Sequence, residues 1–124
     1  MNKNRETITS EQKSILNALA VAVTITDLTG TVLFYNDCAP GILDRKPEYI
    51  GRDIRACHKN PESIRKIDSM LLEFQRGRKE PFSYTAQRKG ARLVVTFSPF
   101  SIDGAFAGLV QVAARVSDNT AVAI

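Results

Sequence analysis

Residues 21 to 36, Val21-Ala22-Val23-Thr24-Ile25-Thr26-Asp27-Leu28-Thr29-Gly30-Thr31-Val32-Leu33-Phe34-Tyr35-Asn36, read as a strand, a turn and a second strand. Val21, Val23 and Ile25 alternate with Ala22, Thr24 and Thr26, the period of two that a pleated strand requires, and the β-branched side chains suit that surface. Asp27-Leu28-Thr29-Gly30 turns the chain, because Gly30 can take a positive φ without a Cβ clash. Thr31 to Tyr35 then folds back on the first strand. Upstream, Thr9 followed three residues later by Gln12 fits a capping box, so a helix starts there, with Ile15, Leu16 and Leu19 as its apolar stripe.

Downstream of Asn36 the pattern breaks up. Pro40, Gly41 and Pro47 leave room for only a helical turn or two between Asp37 and Lys46. Asn60-Pro61 then opens the clearest helix, an N-cap residue followed by the one position where a missing N–H does no harm. Ile64, Ile67, Met70, Leu71 and Phe74 share one face until Gly77 ends it. Three strands follow, Phe82 to Arg88, Arg92 to Phe100 and Phe106 to Val116, joined at Lys89-Gly90 and Asp103-Gly104. Tight glycine turns make these strands antiparallel neighbours. The order is helix, two strands, a helical middle and three strands, an α+β pattern without internal repeats.

The 124 residues are 44% hydrophobic and 24% charged, room for one domain that buries about two thirds of its unfolded surface. Residues 1–9 are expected as an N-terminal tail, residues 10–118 as the domain and residues 119–124 as a C-terminal tail. No apolar run is long enough to span a bilayer, and the polar start, Met1 to Glu6, has no signal-peptide core, so no membrane association and a cytoplasmic location are expected. The net charge of +4 is local: Gly41 to Arg92 holds thirteen Lys and Arg against seven Asp and Glu. These cations are interleaved with acids, which makes a nucleic-acid partner unlikely. Cys38 and Cys57 lack any zinc-site or c-type haem spacing. No nucleophile triad, phosphate loop or H-E-x-x-H helix is present, so no enzymatic activity is expected.

From Ser10 to Asp118 the chain resembles a PAS sensor domain. Ile25 to Asn36 is similar to that family's D-x-x-G-x-(aliphatic)-x-(aromatic)-x-N hairpin, Tyr49-Ile50-Gly51-Arg52-Asp53-Ile54 to its entry into the central helices, and Gly77 to its helix stop. The resemblance implies a five-stranded antiparallel sheet of order 2-1-5-4-3 with helices on one face and an N-terminal flanking helix. It further implies a cavity between sheet and helices, and a sensory role that includes dimerisation. Homodimerisation through the N-terminal helix and sheet is therefore expected, with the signal passed to an effector domain or a partner protein.

The flavin photosensory branch of the family carries G-x-N-C-R-F-L-Q, but here Ile54 stands where its adduct-forming cysteine belongs, which argues against photoadduct chemistry. The segment Gly51-Arg52-Asp53-Ile54-Arg55-Ala56-Cys57-His58-Lys59-Asn60-Pro61 instead resembles a PAS subgroup marked by Gly-Arg-Asp...Cys-His-x-x-Pro. His58 is the single histidine, and its place before a helix N-terminus, between Arg55 and Lys59, disfavours the imidazolium. It is the candidate haem-iron ligand. Arg52, Arg55, Lys59 or Arg65 would meet the propionates, and Ile25, Phe34, Ile67, Leu71, Val95 and Leu109 would contact the macrocycle. Cys57 belongs to the same candidate cofactor site. The alternatives are a solvated or backbone-bonded His58, a pocket holding a flavin or a fatty acid, and a cofactor-free interaction module.

Overall fold

A computed structural model describes residues 7–58 and 60–116. The elements are α1 (Ser10–Asn17), β1 (Ala22–Asp27), β2 (Val32–Tyr35), α2 (Ala39–Ile42), two 3-10 turns (Pro47–Tyr49 and Ile54–Cys57), α3 (Pro61–Gln75), β3 (Phe82–Arg88), β4 (Ala91–Ile102) and β5 (Ala105–Arg115). The five strands form one antiparallel sheet of order β2-β1-β5-β4-β3, as the resemblance implied. The expected tails fall mostly in residues 1–6 and 117–124, which lie outside the described residues, as does Lys59.

Local chemistry accounts for each boundary. Thr9 and Gln12 form the reciprocal capping box of α1, with Thr9 Oγ1 accepting from Gln12 N at 3.1 Å and Gln12 Oε1 from Thr9 N at 2.9 Å. α1 ends at Asn17, short of Leu19, because the fully buried Asn36 amide ties down the turn that follows. Its Nδ2 donates to Leu16 O (2.8 Å) and Val21 O (2.9 Å), and its Oδ1 accepts from Val23 N (2.9 Å). The β1–β2 turn is held by Asp27 Oδ1, which accepts from Thr29 N, Thr29 Oγ1 and Thr31 N. α3 opens on Asn60, whose Oδ1 accepts from Glu62 N, and closes on Gly77 at φ 106°, with Gly77 N donating to Phe74 O and Arg78 N to Glu73 O. Both β3–β4 and β4–β5 turns place their two central residues at positive φ, Lys89 and Gly90, then Asp103 and Gly104.

The sheet is covered on both faces. On one, Ile67, Met70, Leu71 and Phe74 of α3 pack against Leu93, Val95, Phe97, Leu109 and Ala113, with Phe74 edge-on to Phe82 at 5.4 Å. On the other, Val23, Ile25 and Phe34 pack with Ile8, and Leu16 and Val110 close over them. A bulge in β2 sorts Val32 from Phe34: Ile25 pairs with Phe34 and Thr26 with Val32, so Leu33 is left over and the two residues face opposite sides. The Gly51 to Ile54 segment runs along the free side of β2, through Val32 N to Arg52 O and Gly51 N to Val32 O, both 2.8 Å.

Candidate functional site

A cavity of about 460 Å³ opens between the helical layer and the far half of the sheet. Leu43, Asp44 and Arg45 form one wall, Cys57 and His58 a second, and Asn60, Ser63 and Lys66 of the α3 N-terminal region a third. Its floor comes from alternate residues of the strands, Tyr84 and Ala86 on β3, Leu93 and Val95 on β4 and Gln111 on β5, with Arg88 at the rim.

His58 follows the Ile54–Cys57 turn, which Asp53 caps by accepting from Arg55 N at 2.8 Å. Its backbone N–H donates to Arg55 O at 3.1 Å. On the half-buried ring, Nε2 is buried and has no hydrogen-bond partner among the described residues. Burial lowers its pKa, and Arg45 and Arg88 lower it further against the opposing pull of Asp44, so the imidazole is held neutral. Burial likewise raises the Cys57 thiol pKa, against the pull of Arg45, which keeps Cys57 a thiol rather than a nucleophilic thiolate. Tyr84 lies under Lys66, with Nζ 5.1 Å from the ring centroid, and stacks on Phe97 at 6.2 Å.

The structure brings only part of the expected set together. His58, Cys57 and Val95 line the cavity. Ile25 and Phe34 do not: they face the opposite side of the sheet, under α1. The apolar alternation of β1 points outward because the N-terminal segment covers that face, while Thr24 and Thr26 turn towards the helices. Ile67, Leu71 and Leu109 are packed in the core beside the cavity without lining it. Arg52 is exposed along β2, and Arg55 is taken up by Asp53 (2.6 Å) and Asp68 (2.5 Å), with a further bond to Thr29 O. Arg65 pairs with Glu62 on the surface of α3.

Arg45 and Gln111 were not singled out by sequence. Arg45 is 7% exposed, and burial lowers its pKa. Its Nε donates to Thr24 Oγ1 (3.0 Å), Nη2 to Gln111 Oε1 (2.8 Å) and Nη1 to Asp44 O (2.8 Å). Gln111 did leave a signal, a polar residue between Leu109 and Ala113 on the inward phase of a strand. Arg45 left none, since it sits in an aperiodic connection.

The sequence profile that matches the chain is that of the PAS domain, over residues 12–116. The chain belongs to the PAS domain family. No curated protein sequence matches it. Its fold is similar to that of a C-terminal domain from Streptococcus mutans, with a TM-score of 0.73 and 23% identity over 87% of this chain and 85% of that one. It is also similar to the PAS domain of BvgS from Bordetella pertussis, with a TM-score of 0.70 and 14% identity over 88% and 86%. A third similar structure is the PAS domain of the RpfR quorum-sensing receptor from Cronobacter turicensis, in complex with BDSF, with a TM-score of 0.60 and 13% identity over 80% and 96%. At these identities the likeness shows the fold. No helix among the described residues of this PAS domain is long and apolar enough to cross a membrane.

Proposed function

We propose that this PAS domain is a sensor whose cavity binds a small ligand or cofactor, with haem as the favoured occupant and His58 as the iron ligand. The observation that carries this reading is the buried, unpartnered Nε2 of His58 at the cavity wall. A buried polar atom without a partner costs free energy that a bound group recovers, and a neutral imidazole is the form that ligates iron. Haem brings four ring nitrogens of its own, so one imidazole is enough from the protein. The cations available to its propionates are Arg45, Lys66 and Arg88 rather than Arg52 and Arg55, and Leu43, Leu93 and Val95 supply apolar wall. Bound haem would supply an iron that takes a diatomic gas or changes oxidation state. On this reading the Gly51 to Pro61 segment marks a ligand-binding PAS subgroup in which Asp53 and Asn60 fix the two ends of the His58 connection.

The test is optical. Protein reconstituted with haemin is expected to give a Soret band that shifts with dithionite and with CO, and His58→Ala is expected to lose the parent's band position. Identical spectra for parent and variant would remove His58 as the ligand. Extraction of a flavin from the purified protein would replace haem by that cofactor.

The exposed stripe on α1 favours a second reading, a cofactor-free interaction module that dimerises. No residue of α1 is buried, Ile15 is 66% exposed, and Leu19, two residues beyond the helix, is 43% exposed. Beside them Ile8, Leu16, Ile25, Phe100 and Val110 line an apolar groove of about 320 Å³. A second copy covering this stripe would pass strain in the sheet to an attached effector domain or partner protein. Sedimentation of the parent against Ile15→Asp and Leu19→Asp decides it: a dimer that both variants turn into monomer supports this reading, and a parent that is monomeric at high concentration ends it.

A further inference from the structure

Arg45 carries the one formal charge buried among the described residues. Its three hydrogen-bond acceptors, Thr24 Oγ1, Gln111 Oε1 and the Asp44 carbonyl, are all neutral. No described carboxylate comes within ion-pair distance of it. Lys66 and Arg88 add two more cations to the cavity wall, against the single carboxylate of Asp44, which already accepts from the Tyr49 hydroxyl at 3.2 Å. A buried cation served only by neutral acceptors is costly, and an anion placed beside it removes much of that cost. A guanidinium has five N–H donors, so two remain after the three bonds already made.

We propose that the occupant of the cavity carries a carboxylate that pairs with Arg45, with the rest of the molecule lying against Leu43, Leu93 and Val95. The inference rests on the reading of the cavity as a ligand site, but not on iron. A haem propionate and the head of a free alkanoic acid present the same group, and the planar fork of Arg45 matches either one. Arg45 also joins the ligand to the sheet, because Thr24 and Gln111 are partners across β1 and β5. A carboxylate that takes up the free donors therefore acts directly on the two strands whose other face lies under α1.

Two pairs of probes test this on the full chain by calorimetry: haemin against haemin dimethyl ester, and octanoate against methyl octanoate. In at least one pair the acid is expected to bind about tenfold or more tightly than the ester. Gln111→Glu keeps the side-chain shape while giving Arg45 an internal carboxylate, and it is expected to abolish that preference. Arg45→Gln is expected to do the same where it folds. If both acids bind no better than their esters, or if Gln111→Glu leaves the preference intact, the proposal is overturned. His58-dependent haemin spectra with no preference for the acid in either pair would overturn it while leaving the haem reading standing. A charge preference for octanoate without a His58-dependent haemin spectrum would sustain it and remove haem.

Discussion

Gln111 Oε1 accepts a hydrogen bond from Arg45 Nη2 at 2.8 Å, across 66 residues of sequence, and it does so from β5, the central strand of the sheet. Opposite Gln111 on β1 stands Thr24, whose hydroxyl accepts from Arg45 Nε. One guanidinium thus spans the β1–β5 ladder on the side where the cavity lies. Gln111→Leu leaves that donor buried and unanswered, so the variant should lose about 1 to 3 kcal/mol in urea unfolding. Adding Arg45→Met should recover part of the loss, because it removes the unanswered donor together with its buried charge, although the Thr24 hydroxyl loses its partner. Additive losses in the double variant would show that the pair is not coupled.

His58 should make the ligand-free protein sensitive to mild acid. Its folded pKa lies below the unfolded value of about 6.5, so the unfolded chain takes up the proton first as pH falls. Stability is therefore full above the unfolded pKa and declines as pH drops towards the folded one. Burial is the main cause of this shift, and of the charged groups facing the ring Arg45 and Arg88 deepen it and Asp44 opposes it. Urea midpoints measured between pH 7.5 and 5 should fall for the parent and fall less for His58→Gln. Since the chain has one histidine, equal slopes would mean that the ring is not held neutral.

Asn36→Ala should be among the most damaging single substitutions. It removes one acceptor and two donor bonds at a fully buried side chain, leaving Val23 N, Leu16 O and Val21 O without that partner. A loss of about 3 kcal/mol is expected, read as a lower thermal midpoint. Asn36→Asp should not rescue it, since a carboxylate keeps the acceptor but cannot donate to the two carbonyls. Recovery by Asp would show that the Val23 bond alone matters.

Gly108→Ala should destabilise by about 2 kcal/mol or more, because the added methyl has no room. A Cβ there would lie 2.0 Å from Thr26 O and 2.7 Å from Phe100 Cε1, and the first of these belongs to the backbone of the neighbouring strand. Gly41→Ala, whose Cβ meets nothing within 4 Å, is the matching control. Equal urea midpoints for the two variants would show that β5 can move away from β1 at no cost.

Much of this architecture was legible in the chain because the signals are local. The capping box at Thr9, the Asn60-Pro61 start, the Gly77 stop and the two glycine hairpin turns act over three or four residues, and each element they delimit appears within a few residues of its expected place. The candidate site was legible only where it too was local, at Cys57 and His58 beside the α3 N-terminus. Ile25 and Phe34 were expected at the ligand because periodicity shows that a strand has an apolar phase but not which layer covers it. That depended on residues 8 to 16 folding over the outer face.

By itself, the sequence determined where the helices and strands lie, how the hairpins turn and which family the chain belongs to, since backbone preferences and short-range hydrogen bonds depend on near neighbours. Tertiary structure alone decided that the bulge at Leu33 turns Phe34 outward, that Arg45 lodges between Thr24 and Gln111, and that His58 Nε2 loses contact with both water and backbone. Those outcomes turn on which surfaces meet across tens of residues, and burial and the pairing of a charge exist only once the surfaces have met.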